Sequence, residues 1–196
     1  PMNGVIGMAS LLLDSPLTDE QRDTAETIQT SAESLLSLVN DLLDFSKIEA
    51  GRMALDVAEL CPHTVIEESV ALLAEPAASR HLDLTVYISQ DVPRLAQGDA
   101  LRLRQVLLNL IGNAVKFTDY GEVRVEARCE DHAAQPDAQS EAAAGTLLRV
   151  SVTDTGIGIS PEGQSRLFQA FSQLDDTSGR RHGGTGLGLA ISRQLV

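Results

Sequence analysis

The chain has 196 residues, of which 43% are hydrophobic and 22% charged, and its formal net charge is −13. An excess of acid this large argues against a nucleic-acid surface or an anionic membrane surface, because both need clustered Lys and Arg. No apolar run approaches the roughly 18 residues that span a bilayer, and the N-terminus lacks the basic and apolar regions of a signal peptide. We therefore expect a globular, cytoplasmic segment without direct membrane contact, belonging to a longer protein that could itself be membrane-anchored.

The first fifty or so residues predict two helices and no strand. Apolar residues recur at helical spacing over Met2–Leu13, and Asp14–Pro16 interrupts the pattern. Thr18 followed by Gln21 is a capping box, which predicts the start of a second helix. Gly51 marks the expected end of that helix, because glycine readily adopts the left-handed conformation that follows a helix.

The second helix carries a wide apolar stripe. Leu35, Leu38, Leu42 and Phe45 follow one another at the alternating offsets of a heptad seam. Further apolar residues beside this seam widen the stripe, so the helix needs more than one neighbour. Two hairpins related by a twofold axis would form a four-helix bundle. We therefore predict that residues 1–52 form an antiparallel hairpin that dimerises.

From residue 53 onward strand and helix patterns alternate, which predicts a second, α/β unit over residues 53–196. Glu130–Gly145 is rich in Ala, Gln and Asp, and we interpret it as a long mobile hairpin loop. The predicted strands are Met53–Leu60, Leu82–Ile88, Gly121–Arg128 and Thr146–Thr153, and the predicted helices are Pro62–Ala78 (interrupted near Pro76), Leu101–Phe117, Ser160–Ala170 and a last helix to Val196.

The predicted helix Leu101–Phe117 carries a polar face. Asn109, Asn113 and Lys116 stand at i, i+4 and i+7, so their side chains project together. Neutral amide oxygens can ligate Mg²⁺ without cancelling the charge of its phosphates, and an ammonium can meet a phosphate oxygen directly. The alternative is an amphipathic helix with two polar residues on its solvent side.

Asp154 directly follows a predicted strand and is followed by Gly156 and Gly158. A carboxylate at a strand end can accept a hydrogen bond from an exocyclic amine. The glycines let the backbone pass close to a flat ring where any Cβ would collide. The alternative is a tight turn that happens to contain an aspartate.

Residues 183–189 read Gly-Gly-Thr-Gly-Leu-Gly-Leu and open the last helix. A glycine-rich loop before a helix N-terminus presents free N–H groups to an anion. The loop is neither a Walker loop, which needs Gly-Lys-Ser/Thr, nor the dinucleotide fingerprint, whose third glycine comes one residue later than Gly188. Arg180 and Arg181 could reach a phosphate or form a solvated charge pair.

In this order the three segments, with Leu167–Phe171 before the third, resemble the N, G1, F and G2 boxes of the histidine kinase catalytic domain. That domain belongs to the gyrase–Hsp90–histidine kinase–MutL superfamily. Pro1–Met8 resembles the tail of an H box of the hybrid kinase type, and Phe45–Gly51 the segment that leaves the dimerisation hairpin. The resemblance implies an α+β protein: a dimeric hairpin, then an α/β-sandwich ATP-binding domain of the Bergerat type, truncated at its C-terminus.

The resemblance also implies a site for ATP and Mg²⁺. Asn113 would be the principal Mg²⁺ ligand, supported by Asn109, and Lys116 would contact a phosphate. Asp154 would accept a hydrogen bond from the adenine amine. The other implied nucleotide contacts are Phe117, Gly156, Gly158, Ile159, Gly184, Thr185, Gly186, Leu187 and Gly188.

The implied function is ATP-dependent phosphorylation of a histidine in a two-component system, then transfer to an aspartate of a receiver domain. That receiver belongs to a response regulator or to the same hybrid protein. The resemblance places the accepting histidine upstream of Pro1, so we expect no catalytic residue in the chain and no self-labelling. The chain's own histidines lack the neighbours of an H box; they are His63, His81, His132 and His182.

Two other functions stay open, a gyrase-like conformational ATPase and a non-enzymatic nucleotide-binding interaction module. By the resemblance, gyrase-like hydrolases place a glutamate at the position of Asn109 to activate water. An amide cannot act as that base, which favours transfer over hydrolysis. The complete polar set argues against a decayed site.

Overall fold

The computed structural model describes residues 1–131, 146–172 and 185–196. None of the helices in those ranges has the length and apolar character that crossing a bilayer requires. The helices are α1 (Met2–Leu13), α2 (Asp19–Glu49), α3 (Pro62–Leu72), α4 (Ala74–Ser79), α5 (Ala100–Phe117), α6 (Pro161–Gln164) and α7 (Gly188–Leu195), and the strands are β1 (Ala58–Leu60), β2 (Leu82–Ile88), β3 (Ala96–Gly98), β4 (Gly121–Asp131) and β5 (Thr146–Asp154).

The two N-terminal helices form the predicted antiparallel hairpin. The capping box is present, because the Gln21 N–H donates to Thr18 Oγ1 at 3.3 Å and the Thr18 N–H donates to Gln21 Oε1 at 3.0 Å. Across the hairpin, Gln29 Nε2 donates to Ser10 Oγ at 3.4 Å. Gly51 has φ +61, which ends α2 as predicted.

The α/β unit is built on a three-stranded sheet of order β2-β4-β5, in which β4 pairs parallel with β2 and antiparallel with β5. A separate antiparallel pair joins β1 and β3. Helices α3 and α5 pack on the sheet, and the α+β class is confirmed. The core includes Val65 and Ile66 of α3, Leu107, Ile111 and Val115 of α5, and Val123 and Val125 of β4.

Two predicted elements are wrong in length. The strand predicted over Met53–Leu60 is reduced to Ala58–Leu60, because its partner β3, which was not predicted, offers only three pairing residues. The helix predicted over Ser160–Ala170 ends at Gln164, although Ser160 caps it as expected. The following residues turn back instead, and the Phe171 N–H donates to Gly186 O at 3.0 Å.

The predicted helix Pro62–Ala78 is interrupted at Leu73, where α3 gives way to α4. The break falls just before Pro76 because a proline ring clashes with the carbonyl four residues earlier, here that of Leu72. Two residues of the predicted loop Glu130–Gly145 belong to β4, and residues 132–145 lie outside the described residues.

Candidate functional site

Helix α5 is fixed at its start and packed along one side. Asp99 caps it, since its Oδ1 accepts the Arg102 N–H at 3.0 Å and its Oδ2 accepts the Asp56 N–H at 3.0 Å. The apolar side of α5 is buried against the core, with Ile111 fully buried. Asn109, Asn113 and Lys116 are half-buried, as the predicted polar face requires.

Asn109 joins α5 to the glycine-rich start of α7. Its Nδ2 donates to Ser192 Oγ at 2.9 Å, and its Oδ1 accepts from Asn113 Nδ2 at 3.4 Å. A Cβ on Gly188 would overlap Asn109 Oδ1, so this approach needs glycine as long as the Asn109 amide keeps its position. The fold therefore brings the first and third predicted segments together. Ser192 was not predicted, although it lies one turn after Gly188 on α7.

Lys116 lies at the other end of the polar face. Its Nζ sits 4.9 Å from the centroid of the Phe117 ring. Burial lowers the pKa of Lys116, because a partly desolvated ammonium has lost favourable hydration. A phosphate beside this ammonium would compensate for that loss by direct charge pairing.

The turn after β5 is tied to the end of α5. The Ile157 N–H donates to Phe117 O at 3.3 Å. A Cβ on Gly156 would overlap Phe117 O, so this position also needs glycine. The exposed Asp154 uses its Oδ1 to accept the Gly156 N–H at 2.9 Å. Within the described residues, Asp154 Oδ2 has no hydrogen-bond partner, so this oxygen is positioned to accept from a ligand.

The next two predicted contacts, Gly158 and Ile159, follow this turn in the chain. Gly158 adopts φ +68, a conformation that favours glycine. Ile159 is 44% exposed. A Cβ on Gly158 would meet no atom within 4 Å, in contrast to one on Gly156.

The described part of the glycine-rich segment contacts the hairpin. Thr185 Oγ1 donates to Asp41 Oδ2 at 3.3 Å and accepts the Leu187 N–H at 3.0 Å. Gly186 has φ +67, and the Leu187 side chain is buried. Several residues named from the sequence lie outside the described residues, namely Gly184, Arg180, Arg181, His132 and His182.

A second contact joins α2 to the α/β unit. Asp44 Oδ2 accepts from Arg102 at 2.6 Å and from Gln105 Nε2 at 3.1 Å. Burial raises the pKa of Asp44, but these hydrogen bonds outweigh it and the net shift is downward. The Phe45 and Phe171 rings meet edge to face, with centroids 6.1 Å apart. No sequence pattern signalled these contacts, because they join residues far apart along the chain.

Comparison with known proteins gives two family matches. Residues 98–196 match the family described as histidine kinase-, DNA gyrase B-, and HSP90-like ATPase, and residues 1–51 match the His Kinase A (phospho-acceptor) domain. All of the chain aligns with signal transduction histidine-protein kinase BarA of Escherichia coli (strain K12), at 46% identity over 198 residues and 20% of that protein's length. It aligns equally completely with sensor protein GacS of Pseudomonas syringae pv. syringae, at 44% identity and 21% of its length.

Among solved structures, full-length ShkA in complex with AMPPNP matches all of this chain and 37% of its own, with a TM-score of 0.75 and 37% identity. The chain spans about a fifth of the length of the curated relatives it matches. The ATPase match alone covers half of the chain and contains α5, the turn after β5 and α7. The chain therefore belongs to the family of histidine kinase-, DNA gyrase B- and HSP90-like ATPases, as the sequence motifs indicated, and to its histidine kinases in particular.

Proposed function

We propose that the chain is the dimerising and ATP-binding core of a sensor histidine kinase. In this proposal residues 1–52 form the dimerisation hairpin and residues 53–196 the catalytic domain. The site transfers the γ-phosphoryl group of ATP to a histidine, from which it passes to a receiver aspartate. The receiver belongs to a response regulator or to the same protein, and the core works in the cytoplasm.

Adenine recognition is assigned to the turn after β5. The Gly156 N–H holds one oxygen of Asp154, so the other oxygen points in a fixed direction. A fixed carboxylate oxygen accepts from the exocyclic amine of adenine and repels the carbonyl oxygen that guanine has there. Gly156 and Gly158 supply backbone without side chains where the flat base would lie.

The phosphates and Mg²⁺ are assigned to the polar face of α5. Within the described residues, Asn113 Oδ1 accepts no hydrogen bond, and this neutral oxygen suits a hard cation that is also held by phosphates. The donor set therefore fits Mg²⁺, with Asn113 as principal ligand and Asn109 supporting. The bound ion would neutralise charge on the phosphates. Lys116 meets a phosphate oxygen, and Thr185 can donate to another once its hydroxyl releases Asp41 Oδ2.

Transfer rather than hydrolysis is supported by the composition of α5. The helix contains no Asp or Glu over its whole length, Ala100–Phe117. Gyrase-like hydrolases have a glutamate at the position of Asn109. Here the residue is an amide that is hydrogen-bonded to Asn113 and Ser192. An amide cannot take a proton from water, whereas an imidazole nitrogen can attack without such help. This observation favours a kinase over a gyrase-like ATPase.

The accepting histidine is not assigned to the α/β unit. His63 is half-buried on α3, and His81 has φ +57 in the turn between α4 and β2. Neither residue is on the hairpin, where kinases of this type carry the acceptor. We propose that the acceptor belongs to the full-length protein outside residues 1–196.

Incubation with γ-labelled ATP and Mg²⁺ tests this function. The full-length protein should acquire label that is labile in acid and stable in alkali, as phosphohistidine is, whereas residues 1–196 should bind Mg-ATP without labelling. Asn113→Ala should abolish labelling of the full-length protein. Gln90→Ala, which removes an exposed amide in the turn after β2, is the matched control.

Two results would contradict the proposal. Rapid release of phosphate without any protein label would favour the gyrase-like ATPase. Strong acid-labile labelling of residues 1–196 would show that one of their own histidines is the acceptor.

A further inference from the structure

The C-terminal turn of α5 is held by specific donors. The last four carbonyls of an α-helix have no partner within the helix, and other groups must satisfy them. In α5 all four accept a hydrogen bond. The pairs are Thr118 Oγ1 to Ala114 O at 2.7 Å, Arg80 to Val115 O and to Lys116 O, both at 2.7 Å, and the Ile157 N–H to Phe117 O at 3.3 Å.

Arg80 provides the charged contact at this turn. It follows α4, and His81 after it adopts φ +57 as the chain turns into β2. One terminal nitrogen of the partly buried Arg80 guanidinium donates to both carbonyls. Such bonds are strengthened by the charge of the donor, and a cation at a helix C-terminus also interacts favourably with the helix dipole.

The two ends of the candidate site are held by different donors. Phe117 O is held by Ile157, in the turn that carries Asp154, so the adenine end is fixed without Arg80. Lys116 O is held by Arg80. A shift of the peptide group that contains Lys116 O would therefore displace the Lys116 side chain more than it would displace Asp154.

We propose that Arg80 is a positioning residue for the phosphate end of the nucleotide site. It fixes the backbone from which Lys116 reaches a phosphate, and it does not itself contact the nucleotide. This inference rests on the proposed function, because it takes the ligand of Lys116 to be the phosphates of ATP.

A double-mutant cycle tests this role. The affinities of the full-length protein for Mg-ATP and for adenosine are measured by titration in the wild type, Arg80→Met, Lys116→Met and the double variant. Arg80→Met should weaken Mg-ATP binding roughly tenfold, the low end of the range for losing a hydrogen bond that involves a charged group. Adenosine affinity should change less than about twofold, because the base end has its own support. In the Lys116→Met background, Arg80→Met should have almost no further effect on Mg-ATP.

Further variants separate positioning from folding. Arg80→Lys should restore most of the Mg-ATP affinity, since an ammonium can also donate to two carbonyls. Arg124→Met removes an exposed arginine of β4 and should leave both affinities unchanged. Thermal unfolding of every variant shows which are folded. If Arg80→Met does not fold, the same cycle is run with Arg80→Gln.

Three outcomes overturn the inference: an unchanged Mg-ATP affinity in Arg80→Met, an equal loss for Mg-ATP and adenosine, or a loss that adds in full to that of Lys116→Met. Failure of the proposed function is distinct, because the wild type itself would then not bind Mg-ATP.

Discussion

The hairpin and the α/β unit bury their apolar side chains to very different extents. In the hairpin only Ala9, Ala25 and Ala32 are buried, whereas Leu35 and Leu42 on the seam are 47% and 49% exposed. In the α/β unit, by contrast, large aliphatic side chains such as Ile66, Leu107 and Ile111 are fully buried, and the core cluster of described residues lies entirely within this unit. One chain therefore encloses a core in the α/β unit but leaves the hairpin seam uncovered.

This difference separates the folding of the α/β unit from the assembly of the hairpin with a second copy. The exposed hairpin residues follow a heptad spacing, which is typical of a surface covered by another helix pair. An open apolar groove of about 540 Å³ also lies along the hairpin, between the α1 residues Val5 and Met8 and the α2 residue Ile28. The structure thus supports dimerisation through the hairpin and nucleotide binding by a unit whose core does not depend on that contact.

The largest expected effect is on assembly. Leu35→Asp combined with Leu42→Asp places unpaired charge in the proposed four-helix bundle, which costs on the order of several kcal/mol. We expect monomers by light scattering, while the α/β unit still binds Mg-ATP. Leu55→Asp, at a leucine that is 51% exposed and lies beyond the seam, should leave the dimer intact. Dimers that persist in the double variant would place the interface elsewhere.

A smaller effect is expected within the α/β unit. Ile111→Ala removes a fully buried side chain from the core, and such substitutions lower the free energy of unfolding by about 2–5 kcal/mol. Leu147→Ala, on β5 at 48% exposure, should change it by less than about 0.5 kcal/mol. Urea denaturation measures both values. Equal losses would show that the core does not lie between α5 and the sheet.

Local sequence patterns predicted the elements well where a single helix or turn determines them. Thr18 and Gln21 satisfy one another within four residues, and the pattern therefore located the start of α2 correctly. The polar face of α5 was predictable for the same reason, since helical spacing alone puts Asn109 and Asn113 together. Gly156 and Gly188 were named from the sequence as nucleotide contacts, and the structure adds which atoms a side chain at each position would strike.

Features that depend on distant residues were not predictable. The length of β1 is set by β3, a three-residue strand with little pattern of its own. Thr185 was named from its loop, but its contact with Asp41 spans 144 positions and has no periodic signature. Arg80 was not predictable for the same reason. In the sequence it resembles any surface arginine, and only the fold places it beside the end of α5.

The central claim is that Asp154 and the α5 face form an adenine-nucleotide site, and one titration tests it most directly. Affinities for ATP and GTP, each with Mg²⁺, are measured for the wild type, Asp154→Asn and Asp83→Asn, an exposed aspartate of β2 that serves as the control. We predict that the wild type binds ATP far better than GTP. Asp154→Asn should weaken ATP binding by about 1.5–3 kcal/mol, the scale of a hydrogen bond to a charged group, and Asp83→Asn should not. Equal affinities for ATP and GTP in the wild type, or an unchanged ATP affinity in Asp154→Asn, would contradict the account.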